Sequence, residues 1–190
     1  MRRTLSIWVE NRSGELSRIV GLFAARGYNI ESLTVADTPQ RNISLVTVVT
    51  TGTDHAIEQI VKRVDKQVCV LKALDVTDLR HAEREIAVVS VKLNVGPALR
   101  EVLQLVARNR LKLVDVSQDT LTLEATGDCA AINEIIALLS SLGIRDIVRS
   151  GVVAVADLPP RAAGQEALHP AMNLGSAVPG FSDSASKAEL

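Results

Sequence analysis

The residues best placed for chemistry run from Asn11 to Leu16, Asn-Arg-Ser-Gly-Glu-Leu. They set a carboxamide, a guanidinium, a hydroxyl and a carboxylate around one glycine. With no Cβ, Gly14 lets a guest approach free backbone N–H groups at the start of a helix. Such groups, together with the helix dipole, favour an anion. Ser13 is the expected N-cap, and Glu15 suits the positive end of the dipole. Spacing alone leaves two readings open, an anion site or an ordinary strand-to-helix turn. Elsewhere the machinery is thin. His55, His81 and His169 fall on a helix start, a linker and a tail, and none makes a local ligand pair. Cys69 and Cys129 lack metal spacing and read as reduced thiols. There is no Gly-rich phosphate loop, serine nucleophile elbow or HExxH motif. The pattern points to binding, with no catalytic residue, metal ligand or cofactor expected in this chain.

The elements that hold this turn follow from periodicity. Thr4 to Glu10 alternates, with Leu5, Ile7 and Val9 on one face and Thr4, Ser6, Trp8 and Glu10 on the other. That is a half-buried strand. Leu16, Ile19, Val20 and Phe23 then form a helical stripe, and Gly27 is the expected stop. Tyr28 to Ala36 reads as a strand, residues 37–42 as a polar loop with one proline, and Ile43 to Thr51 as a strand. Asp54 is the expected cap of a helix striped by Ile57, Ile60, Val61 and Val64, and Val68 to Val76 is a strand. The order is βαββαβ, one ferredoxin-like unit. The second half repeats it: a strand over Glu85–Leu93, a helix opened by Gly96-Pro97 and striped by Leu99, Val102, Leu103 and Val106, a hairpin of Leu111–Val116 and Leu121–Ala125, a helix capped by Asp128 and striped by Ile132, Ile135, Ile136 and Leu139, and a closing strand over Ile147–Ala156. The fold class is α+β, two βαββαβ units with antiparallel sheets and helices on one face. The units span 1–77 and 85–157, joined by a charged linker at 78–84. Residues 158–190 hold four of the six prolines and no apolar periodicity, so a disordered tail is expected there.

Composition excludes several classes. Of 190 residues 47% are hydrophobic, enough for a core. Net charge is -1 and neither half is strongly basic; with one Trp, one Tyr and two Phe, there is no base-stacking surface, which argues against nucleic acid. No apolar run reaches the roughly 18 residues of a membrane helix. The start, Met1-Arg2-Arg3-Thr4, shows no signal-peptide pattern, and a cytoplasmic protein is expected.

The stretch Glu-Asn-Arg-Ser-Gly-Glu-Leu-Ser-Arg (10–18), followed by Arg-Gly-Tyr-Asn-Ile-Glu-Ser-Leu-Thr-Val (26–35), resembles the opening of the regulatory (small) subunit of acetohydroxyacid synthase, the acetolactate synthase of branched-chain amino-acid biosynthesis. Arg84-Glu85-Ile86, Leu113 to Ser117, Glu124 to Gly127 and Arg149 to Val153 resemble that family's second domain, so the likeness runs to about residue 156. It implies that the first unit is an ACT domain, a small amino-acid sensor that dimerises with its effector between protomers. The implied effector is valine, with leucine and isoleucine left open. Asn11, Ser13, Gly14, Glu15 and Leu16 would form one wall, and Asn29 and Ile30 would come from the neighbour. Free N–H groups near Gly14 to Leu16 would take the carboxylate, asparagine and backbone carbonyls the ammonium, and Leu16 and Ile30 the branched side chain. The loop Asp37, Thr38, Pro39, Gln40, Arg41 and Asn42 resembles the one that touches the catalytic subunit. That subunit would carry thiamine diphosphate, magnesium and FAD. One departure stands out: Leu45 lies where many relatives have arginine. A free-standing amino-acid sensor is the alternative. Trp8, on the face away from the helices, calls for cover by another domain or a partner.

Overall fold

The computed structural model describes residues 1–92 and 97–156. The expected tail over 158–190 lies outside them, as do Gly96 and the side chain of Leu99. The first unit is β1 (Arg2–Glu10), α1 (Glu15–Ala24), β2 (Ile30–Asp37), β3 (Ile43–Thr51), α2 (Asp54–Asp65) and β4 (Val70–Asp75), with the antiparallel strand order β2-β3-β1-β4. The second is β5 (His81–Lys92), α3 (Pro97–Arg108), β6 (Lys112–Val116), β7 (Thr120–Gly127), α4 (Cys129–Ser140) and β8 (Ile144–Arg149), ordered β6-β7-β5-β8. A short strand β9 (Val153–Ala156) pairs with the first residues of β5.

Each unit has its own core, built from most of the stripes read in the sequence, although Leu16 and Leu103, expected in them, are exposed. Ile19 and Phe23 of α1 and Ile57, Ile60 and Val64 of α2 pack on Leu5, Ile7, Val46 and Val48. In the second unit Val102, Ile132 and Leu139 pack on Val89, Val91, Leu121 and Leu123. Burying each such side chain contributes about 1.5–3 kcal/mol, which fixes both helices on one face of each sheet.

Several boundaries differ from expectation. Ser13 does not cap α1; Gly14 takes that place with φ 88°, and no side chain caps the helix. Thr53, not Asp54, caps α2 by accepting from Ala56 N–H. Asp128 caps α4 as expected. Gly27 ends the first helix through bonds from Gly27 N–H to Ala24 O and Tyr28 N–H to Phe23 O, with φ 68° at Gly27. The stretch expected as a linker is in part strand: residues 81–84 open β5 and pair with β9. The expected closing strand is broken at Ser150-Gly151, where φ of 82° at Gly151 turns the chain from β8 to β9. Val68 is almost fully exposed and precedes β4.

The ribbon of β9 and the start of β5 lies against the face of the first sheet that the helices leave free. Thr4 Oγ1 donates to Glu83 Oε1 (2.6 Å) and Val152 N–H to Ser32 Oγ (3.0 Å). Thr4, Ser6 and Val49 on this face are buried, and Trp8 is half-buried. Arg2 and Arg3 anchor the junction. Arg2 pairs with Glu83 at 3.2 Å, and Arg3 reaches Asp78 at 2.6 Å and also holds Asp54.

Candidate functional site

The turn between β1 and α1 is open. Thr53 and Asp128 satisfy N–H groups at the starts of α2 and α4, whereas α1 begins on Gly14 with no side-chain partner. Among the described residues, no backbone or side-chain acceptor takes the N–H groups of Gly14, Leu16 and Ser17. These are the groups a helix start leaves unsatisfied. An added Cβ at Gly14 would meet nothing within 4 Å, so that side of the turn is uncrowded. Leu16 is 38% exposed beside it.

Glu15 is placed differently from its expected role. Its carboxylate pairs with Arg18 at 3.2 Å and is near enough to the Cys69 thiol to act on it. Burial, then the bond to Glu15, push that thiol up to about 11. The Glu15 side chain is therefore held behind the turn, and its N–H is turned to Arg12 O at 3.4 Å.

Asn11 ties the turn to the 37–42 loop. Its N–H donates to Asn42 O at 2.7 Å, and its Nδ2 lies 3.4 Å from Asp37 Oδ1. Asn42 sits at φ 71°, a conformation asparagine tolerates, which points its carbonyl at Asn11. Thr38 Oγ1 braces the loop against Gln40 O and Ile43 O. The expected effector wall and the expected partner loop are thus neighbours.

Asn29 and Ile30 are elsewhere. Asn29 O accepts from Thr50 Oγ1 at 2.6 Å, and Ile30 pairs with Thr50 at the far end of β3. Asn11 lies beside Asp37, at the other end of β2. Seven steps at about 3.3 Å put the two groups roughly 23 Å apart in one chain. One copy cannot close both around a small amino acid. β2 is, however, an edge strand bonded only to β3. Such an edge is open to pairing with another strand.

Comparison with known proteins agrees with this architecture. Residues 5–72 match a family model described as the AHAS small subunit-like ACT domain, and residues 84–157 match one for the small subunit of acetolactate synthase. The acetolactate synthase small subunit of Aquifex aeolicus is 42% identical over 154 residues, covering 81% of this chain and 80% of that protein. The chain belongs to the acetolactate synthase small-subunit family. The small subunit of Mycobacterium leprae is 37% identical over 156 residues, covering 82% of this chain and 92% of its own length. The crystal structure of the Thermotoga maritima small subunit superposes with a TM-score of 0.75 at 32% identity, over 83% of this chain and 98% of that one. The first unit is accordingly an ACT domain. Among the described residues no group of histidine, cysteine, aspartate or glutamate could hold a metal, and no helix is long and apolar enough to cross a membrane.

Sequence reasoning found the open turn and, through the family resemblance, expected Asn29 and Ile30 to come from a neighbour; that the two groups lie at opposite ends of β2 is what the structure adds. Periodicity assigns residues to strands and helices, but not to opposite ends of one edge strand. The contact of Ser32 with Gly151 and Val152 was missed. It joins residues 120 positions apart, and no local pattern marks it.

Proposed function

We propose that this chain is the regulatory subunit of acetolactate synthase. It binds a catalytic large subunit, raises that subunit's activity and conveys feedback inhibition by valine held between the ACT units of two copies. The observation that carries the reading is the placement of the expected effector residues at opposite ends of β2. A helix start with no side-chain cap and an uncrowded Gly14 sits at one end of an edge strand, and Asn29 and Ile30 sit at the other. A two-fold through β2 completes the pocket twice.

In that pocket the N–H groups of Gly14 and Leu16 take the effector's carboxylate, where the dipole of α1 favours negative charge. The side-chain carbonyls of Asn11 and the second copy's Asn29 accept from its ammonium. Leu16 and the second copy's Ile30 enclose the branched side chain, a contact on the order of 1.5–3 kcal/mol. The loop 37–42, fastened to Asn11 through Asn42, is the proposed contact to the catalytic subunit. The acetolactate chemistry, with its thiamine diphosphate, magnesium and FAD, belongs to that partner.

Calorimetric titration of the full chain with valine, leucine and isoleucine tests this, alongside sedimentation with and without ligand. One valine per chain with a dimer as the binding species is the expected result. A monomer that binds valine, or a dimer that binds none of the three, overturns it.

A further inference from the structure

We propose that the seat of Gly151 and Val152 on β2 is the relay that carries the effector signal from the ACT unit to the second unit, an inference that rests on the functional reading above. Three observations converge on it. First, Gly151 lies flat on β2. An added Cβ would come within 2.7 Å of Ser32 Oγ and 2.8 Å of Thr34 Oγ1, and φ is 82°. Both space and conformation demand glycine there. Val152 N–H donates to Ser32 Oγ at 3.0 Å, so the contact is bonded as well as close.

Second, the contact adjoins the effector end of β2. The register of β2 against β3 shifts between Ile30 and Ser32, a bulge that separates the proposed effector contact from the relay contact by one residue. Bulges concentrate bending of the strand. A change in how Ile30 is held therefore moves Ser32 first. Beyond it the seat is rigidly tied to the second unit. Ser150 N–H donates to Ile86 O, and Ser150 Oγ accepts from Ile86 N–H. Arg149 clasps the buried Glu85 through two bonds of 2.7 Å.

Third, the interface holds hydroxyls that are not committed to a bond. It is lined on the ACT side by small hydroxyl side chains, and Ser6 Oγ and Thr34 Oγ1 are buried there without a partner among the described residues. Unpaired hydroxyls on a close-packed face leave a second bonding arrangement within a short displacement. Two such arrangements, biased differently by bound and free effector, are what coupling between sites requires.

The test is hydrogen exchange of the full chain with and without saturating valine, in the unmodified protein, in Ser32→Ala and in Gly151→Ala. Ser32→Ala removes the acceptor with little change of volume, and Gly151→Ala wedges the seat open; if the latter does not fold, the former decides. The unmodified chain should show a valine-dependent change in exchange over His81–Arg84 and Val153–Ala156. Both variants should bind valine within about threefold of the unmodified chain yet lose that change. Their reconstituted enzymes should need about tenfold more valine for half inhibition, the scale of an ordinary coupling energy. A C-terminal response preserved in Ser32→Ala, or absent from the unmodified chain that binds valine, overturns the relay alone. Loss of valine binding in both variants also overturns it, because the contact would then hold the effector site rather than read it. An unmodified chain that binds no valine overturns the functional reading together with the relay.

Discussion

Replacing Gly14 with aspartate probes the effector turn most sharply. The new side chain has room, since nothing lies within 4 Å of the added Cβ. Its backbone cost is modest. A left-handed conformation costs an L residue roughly 1–2 kcal/mol, and aspartate is among the residues that tolerate it best. The effect on ligand is electrostatic. A carboxylate at about 4 Å from the effector's carboxylate repels it by about 4 kcal/mol at an effective dielectric of 20. Solvent at this exposed turn reduces that to about 2 kcal/mol. Because about 1.4 kcal/mol is a factor of ten, valine binding should weaken about thirtyfold. Gly14→Ala carries the backbone cost without the charge and is the control. Calorimetry on both variants at low and moderate salt reads the difference, which should shrink as salt screens the pair. A valine affinity in Gly14→Asp equal to that of the unmodified chain, or of Gly14→Ala, refutes the placement of the carboxylate.

Three further outcomes follow from the ion pairs and thiols. Arg149→Met should destabilise the second unit by about 3 kcal/mol, the low end for a broken buried pair, because Glu85 is only 5% exposed and would lose its bidentate partner; urea unfolding of the variant measures it. Burial pushes the Glu83 carboxyl up, but the Thr4 hydroxyl, Arg2 and His81 outweigh it and hold it below its ordinary 4.5. Its contribution to stability is therefore present above that value and lost as pH falls through the lower folded one. Thermal melts between about pH 5 and 3 should fall more steeply for the unmodified chain than for Glu83→Gln. Finally, Cys69 is 4% exposed with its thiol pushed up to about 11, so about one thiol in a thousand is ionised at pH 8. Maleimide should modify the half-exposed Cys129 first, which peptide mapping resolves.

The fold was legible where one physical rule decides. Helical stripes such as Ile57, Ile60 and Val64 can be buried only one way, and they name the core correctly. Gly27 and Asp128 were legible because helix ends have few solutions. The misses arose where two rules compete. Ser13 is the better capping residue by preference, but the chain turns into α1 through φ 88°, which Gly14 adopts freely. At Ser150-Gly151 an unbroken β-prone run hid a turn that only the second sheet and the ACT face together impose. Residues 81–84 read as a polar linker because their strand partner, β9, lies about seventy positions away. The expected effector residues, and their split between two copies, came from the likeness to a family; the edge position of β2 did not, because it depends on which strand the sheet leaves unpaired.

The central claim is that this chain regulates an acetolactate-forming enzyme and does not perform that chemistry itself. Its most direct test is acetolactate production from pyruvate by the chain alone, by a cognate catalytic large subunit alone and by the two mixed, each with and without valine. The expected result is no product from the chain alone, a higher rate from the mixture than from the large subunit alone, and suppression by valine only in the mixture. Product formed by the chain alone, or a mixture whose rate and valine response match those of the large subunit by itself, would contradict it.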